Sequence, residues 1–211
     1  MDRRFLAILV GIIIILGGIF VVTKNSGNED SGSKSGNTSS KVTNHVDGQG
    51  QSNVTLQEYG DFQCPACATF YSIIKQIKEE YKNDLLFVFR DFPLTNIHRN
   101  ALLSSQAAYA ANKQGKYWEM HDLLYVNQTT WSESGDAASI FTDYAKKLDL
   151  DADQFTKDMN SDEAKTFVKE GENNAISLGL NSTPSIFLNN KLLNISLSYE
   201  TFKKAIDEEL K

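Results

Sequence analysis

The chain has 211 residues, 41% hydrophobic and 23% charged, with a formal net charge of −6. That length suits one ordinary domain plus an appendage, and the composition excludes wholesale disorder, a collagen-like repeat and a multi-span membrane protein. Residues 1–51 carry five Lys and Arg against four Asp and Glu, leaving sixteen against twenty-three for residues 52–211, the wrong sign for a nucleic-acid reader.

Phe5 to Val22 is an eighteen-residue run without a charged side chain, preceded by Arg3 and Arg4. At a helical rise it covers about 27 Å, close to the ~30 Å hydrocarbon core. It is longer than the apolar region of a usual signal peptide, and no Ala-x-Ala site follows. Residues 1–22 are therefore expected to form a cytoplasmic stub and an uncleaved single-pass transmembrane anchor, with the basic pair inside and the remaining chain exported. Residues 23–51, rich in Ser, Gly, Asn, Lys and Asp, cannot bury enough surface to offset ordering entropy and are expected to be a disordered linker. The folded part is expected over residues 52–211.

Val54–Tyr59 alternates in character and stops at Gly60-Asp61, which predicts a strand and a turn. Beyond Cys67, Phe70, Ile73, Ile74, Ile77 and Tyr81 recur at helical spacing until Asn83-Asp84 breaks the pattern. Leu85–Arg90 reads as a strand buried on both faces. A strand–helix–strand unit of this kind makes a parallel pair. Residues 96–160 read as an all-helical block, with segments around Ala101–Ala111, Trp118–Val126 and Ile140–Leu148. Another helix is expected over Asp162–Leu178, capped from Asn160 and ended by Gly179. Ser185–Leu188, the pair Asn189-Asn190 and Lys191–Leu193 predict a hairpin, because Asn tolerates the left-handed backbone of such turns. Ser198 is placed to cap a last amphipathic helix carrying Phe202, Ala205, Ile206 and Leu210.

The only cysteines, Cys64 and Cys67, fall where the first strand gives way to the first helix. Unpaired N–H groups and the dipole at a helix start favour a thiolate, so Cys64 is expected to be the exposed, acidic thiol and Cys67 the buried one. Two intervening residues leave the sulfurs close enough to cycle between dithiol and disulfide. Pro65 suits a first helical position, and Ala66 brings no charge. A purely structural disulfide closing so short a loop would stabilise the chain little. A zinc site would need two further ligands from His45, His98 and His121, none spaced as a partner pair. His98 and His121 are expected as surface or satisfied core histidines, and Trp118 and Trp131 as core.

The stretch Glu58-Tyr59-Gly60-Asp61-Phe62-Gln63-Cys64-Pro65-Ala66-Cys67, with Arg90-Asp91-Phe92-Pro93-Leu94, Trp118-Glu119-Met120-His121 and Thr183-Pro184-Ser185, resembles the DsbA family of exported thiol:disulfide oxidoreductases, especially membrane-anchored members of Gram-positive bacteria. The resemblance implies an α/β thioredoxin-like fold with an inserted all-helical domain. It implies no cofactor beyond a redox-active Cys64–Cys67 disulfide, and exported proteins with free thiols as substrates. Reductase or isomerase action, or a binding or chaperone-like module with a structural disulfide, are the alternatives. It also implies re-oxidation by a membrane partner of the DsbB or VKOR type, and a cis Thr183–Pro184 loop facing the sulfurs. Glu58 matches a buried acid used by the family in proton transfer, against the alternative of a solvated strand carboxylate. Ala66 departs from the best-known member of that family, in which His precedes the second cysteine and helps make the disulfide strongly oxidising.

Overall fold

The computed structural model describes residues 45–211. The expected anchor and most of the expected linker lie outside the described residues. Among the described residues no helix is long and apolar enough to cross a membrane.

Strand β2, Val54–Gly60, leads through a tight turn into helix α1, Pro65–Glu80, and back to strand β3, Leu85–Asp91. β2 and β3 pair in parallel, from Val54 beside Leu85 to Gly60 beside Asp91. Helix α1 buries Cys67, Phe70, Ile74 and Ile77 on one stripe, against Leu56 and Phe87 of the sheet. The hairpin partner strands are β4, Ser185–Leu188, and β5, Lys191–Leu192. β4 runs antiparallel to β2 with Ser185 beside Tyr59. The hairpin turns at Asn189 and Asn190, both at positive φ (46° and 66°), as its sequence predicted.

The sheet gains an edge strand that the sequence reading assigned to the linker. β1, His45–Asp47, pairs antiparallel with β3, His45 opposite Phe89, so the ordered domain starts before residue 52. Three residues of mixed polarity carry too little periodicity to be seen. What holds them is tertiary: the His45 ring stacks on Tyr117 at 3.4 Å between centroids and an 8° tilt. The strand order is β1-β3-β2-β4-β5.

Five helices fill the connection expected to be helical: α2, Ala101–Lys113; α3, Tyr117–Val126; α4, Gln128–Trp131; α5, Ala137–Lys147; and α6, Ala152–Met159. The alanine face of α2 is fully buried and is the axis of this layer, with Trp131, Phe141 and Phe155 packed in the same core. Helix α7, Asp162–Ser177, returns the chain to the sheet. Its cap is Ser161, whose hydroxyl accepts from the Ala164 N–H at 3.1 Å, rather than Asn160. Gly171 of α7 lies so near β3 that a Cβ there would stand 2.5 Å from the Asp91 carbonyl oxygen. Helix α8, Tyr199–Glu209, starts at the Ser198 cap and lays Phe202 on Phe70 of α1, 4.9 Å between centroids.

Candidate functional site

The parallel pair ends at Gly60 and Asp91, and loops beyond the carboxyl ends of parallel strands form the crevice where such folds do chemistry. Asp61 begins one of those loops. Fully buried, it accepts from the Gln63 N–H at 2.7 Å through Oδ1, and from the Leu94 N–H at 2.9 Å through Oδ2. His98 Nδ1 lies 2.7 Å from the same Oδ2, so this histidine is satisfied, as expected, by a partner the sequence did not suggest. Cys64 donates its N–H to the Asp61 carbonyl at 3.0 Å and adopts an extended backbone (φ −70°, ψ 122°), from which Pro65 starts α1.

The pairing of Ser185 with Tyr59 carries Thr183 and Pro184 to the same end of the sheet. The Thr183–Pro184 bond is cis. Cys64 Sγ lies 3.4 Å from the Thr183 carbonyl oxygen. That loop closes over the sulfur, so Cys64 is only 7% exposed instead of projecting from the surface, while Cys67 is fully buried. Pro65 and Ala66 are exposed. Both cysteines are free thiols.

The two thiols differ sharply in acidity. A hydrogen bond from the Cys67 side chain, against the opposing effect of burial, draws Cys64 down to about 5, and Thr183 and the backbone N–H groups of Cys67 and Ala66 act in the same direction. Burial first, then the bond to Cys64 and the charge of Glu58, holds Cys67 well above the usual thiol range. Glu58 is itself buried, its Oε1 without a hydrogen-bond partner. Burial, reinforced by the negative charge of Cys64 and opposed by Lys78, raises its carboxyl to about 8. A solvated strand carboxylate would behave otherwise. Glu58 is the register partner of Phe89 across the parallel strands, and a Cβ at Gly60 would stand 2.9 Å from its Oε1 and 2.5 Å from the Phe89 ring, so glycine leaves room for the acid.

Sequence reasoning missed the amides around this loop. Gln63, immediately before Cys64, donates through Nε2 to the Ser132 carbonyl at 2.7 Å and accepts the Asn100 N–H at 2.7 Å. Asn100 Nδ2 donates to the carbonyls of Trp131, Ser132 and Ser134, at 3.0 to 3.1 Å. Gln128 of α4 donates to the carbonyls of Phe62 at 2.7 Å and Cys64 at 3.0 Å. Buried and surface amides look alike in a sequence, and only the position of Gln63 beside Cys64 carried a hint. Asp91, a second buried acid at the end of β3, was missed as well; burial, with the charge of Asp61, lifts it to about 7.

The thioredoxin family profile matches residues 40–208. The "Na(+)/H(+) antiporter NhaA 1" of Salinispora arenicola is 32% identical over 162 residues, 77% of this chain but 24% of that protein. The chain thus spans about a quarter of the length of the antiporter relatives it matches. The "Probable disulfide bond formation protein D" of Bacillus cereus is 33% identical over 171 residues, 78% of this chain and 77% of that protein. Among solved structures, oxidised BdbD from Bacillus subtilis superposes with a TM-score of 0.70 at 22% identity, over 78% of this chain and 91% of its own.

Proposed function

The chain belongs to the DsbA-like thiol:disulfide oxidoreductases of the thioredoxin family, and from that premise we propose that it is an extracytoplasmic oxidase that introduces disulfide bonds into exported proteins. The observation that carries the reading is the pairing of an acidic Cys64, held near 5 and set against Thr183, with a buried, weakly acidic Cys67. An acidic first thiol leaves readily and stabilises the reduced enzyme, which is what an oxidant requires.

In the oxidised enzyme, a substrate thiolate attacks Cys64 Sγ, the Cys64–Cys67 bond breaks, and Cys67 departs as a thiolate. Glu58, protonated at neutral pH because its carboxyl is held near 8, supplies the proton that this buried thiolate needs. A second substrate thiolate then attacks the substrate sulfur of the mixed disulfide and Cys64 leaves as a thiolate. The substrate gains a disulfide and two electrons remain on the enzyme. Thr183, beside the reacting sulfur, offers backbone to an extended substrate, and Pro184, lacking an N–H, does not compete for it. A membrane re-oxidase of the DsbB or VKOR type restores the disulfide, and the apolar run of residues 5–22 anchors the domain on the outer side of the membrane.

The reading is tested by supplying the full-length protein with a reduced exported substrate. The oxidised wild type introduces disulfides stoichiometrically and Cys64→Ser does not. An oxidised wild type that leaves the substrate thiols free would favour a binding or chaperone-like module instead.

A further inference from the structure

The loop carrying Cys64 is held from two sides, by Asp61 and Thr183 of the thioredoxin half and by side-chain amides of the helical insertion. One amide group makes the decisive contact. Gln128 Nε2 donates to the Phe62 carbonyl at 2.7 Å and to the Cys64 carbonyl at 3.0 Å, and so spends both of its hydrogens on the two residues flanking Gln63. Gln128 is buried. Among the described residues no other side chain bonds to either carbonyl, and the Cys64 carbonyl receives otherwise only the Ala68 N–H of the first helical turn at 3.1 Å.

We propose that Gln128 is a positioning residue through which the helical insertion stabilises the Cys64 thiolate and thereby sets the redox equilibrium of the Cys64–Cys67 couple. This rests on the reading of that pair as redox-active. The amide presents the positive end of one N–H dipole to the backbone of the residue that becomes an anion and that of the other to Phe62, two positions before it, in a buried site where such dipoles are poorly screened. It also fixes the Cys64 carbonyl at the head of α1, and with it the aim of the Ala66 and Cys67 N–H groups at the sulfur, both of which favour the thiolate.

Removing the donors therefore penalises the reduced enzyme, which carries the thiolate, more than the oxidised one, which carries none. Stability and redox equilibrium form a closed cycle. A residue that merely holds the fold together lowers the stability of both forms equally and leaves the equilibrium with glutathione where it was; a residue acting on the thiolate moves that equilibrium.

The experiment uses the full-length protein and three variants: Gln128→Met, which keeps the volume and removes the donors; Gln128→Glu, which places a carboxyl there; and Asn100→Ala, which breaks neighbouring bonds to Trp131, Ser132 and Ser134 without touching Cys64. Each is equilibrated with glutathione, its thiolate is titrated by ultraviolet absorbance, and oxidised and reduced forms are unfolded in urea. Gln128→Met is expected to shift the glutathione equilibrium roughly tenfold toward the oxidised protein, the worth of one buried hydrogen bond. Cys64 should then ionise at higher pH and the reduced form lose more stability than the oxidised one. Gln128→Glu shifts all three further in the same direction, and Asn100→Ala destabilises both forms alike.

Unchanged equilibria in the Gln128 variants, a shift in the opposite direction, or an equal shift in Asn100→Ala would each overturn the proposal. Should Gln128→Met not fold, Gln128→Asn, which withdraws the amide by one methylene, carries the same test. A wild-type protein that does not exchange with glutathione at all would instead defeat the redox reading itself.

Discussion

Cys64 Sγ and the Thr183 carbonyl oxygen, 119 positions apart in the chain, stand 3.4 Å from each other. The contact follows from the sheet: β2 delivers Cys64 from its carboxyl end, and β4, antiparallel to it, begins there. The reactive sulfur is thereby enclosed rather than displayed, and its chemistry depends on acidity more than on exposure.

The first prediction concerns that acidity. Alkylation of the reduced protein with iodoacetamide, followed residue by residue by mass spectrometry, should show Cys64 labelling through a transition near pH 5 and Cys67 remaining protected until far more alkaline conditions. The overall rate should be modest, because Cys64 is 7% exposed. Labelling of Cys67 first at acidic pH would refute the assignment of roles.

Glu58 predicts a redox-linked pH dependence. Its folded carboxyl is raised to about 8 from an ordinary 4.5, so the folded state keeps a proton that the unfolded chain releases. Its contribution is most favourable below pH 4.5 and declines as pH rises through 8. Glu58→Gln should remove that decline and gain on the wild type by a few kcal/mol, order of magnitude, toward pH 8. Part of the elevation comes from the Cys64 charge, so the effect should be smaller in the oxidised protein. Urea midpoints of both redox forms across pH check this, and identical pH profiles for wild type and variant would contradict it.

His45 acts with the opposite sign. Burial, then the neighbouring His121, lowers it from 6.5 to about 3. Its contribution to stability is therefore complete above pH 6.5 and is lost as pH falls toward 3. His45→Phe, which preserves the ring stacked on Tyr117, should flatten the acid limb of the stability profile. An acid limb as steep in His45→Phe as in the wild type would show that β1 does not depend on a neutral imidazole.

At the contact between α7 and β3, Gly171→Ala places a Cβ 2.5 Å from the Asp91 carbonyl oxygen. Backbone must move to accept it, and a loss of about 1–3 kcal/mol is expected from overpacking. Chemical denaturation measures it, and a neutral substitution would mean that α7 can retreat from the sheet.

Much of this architecture was legible in the residues. Alternation in Val54–Tyr59, the helical stripe after Cys67 and the apolar run Leu85–Arg90 were local signals, and the Asn189-Asn190 turn carries its own backbone preference. The short β1 was not legible, because His45–Asp47 is ordered by Tyr117 and β3 rather than by its own pattern. Nor was the clamp of Gln63, Asn100 and Gln128, whose partners are backbone carbonyls up to 69 positions away. At the site, Cys64 and Cys67 could be read from spacing, whereas the enclosure of Cys64 by Thr183 depends on strand pairing across the sheet.

The central claim is that this couple oxidises its substrates, and the equilibrium potential of Cys64–Cys67 in a glutathione buffer tests it most directly. A Cys64 thiolate stabilised near 5 predicts a potential above about −180 mV, in the range of strongly oxidising protein couples. A potential near about −270 mV, that of a thioredoxin-type reductant, would contradict the account.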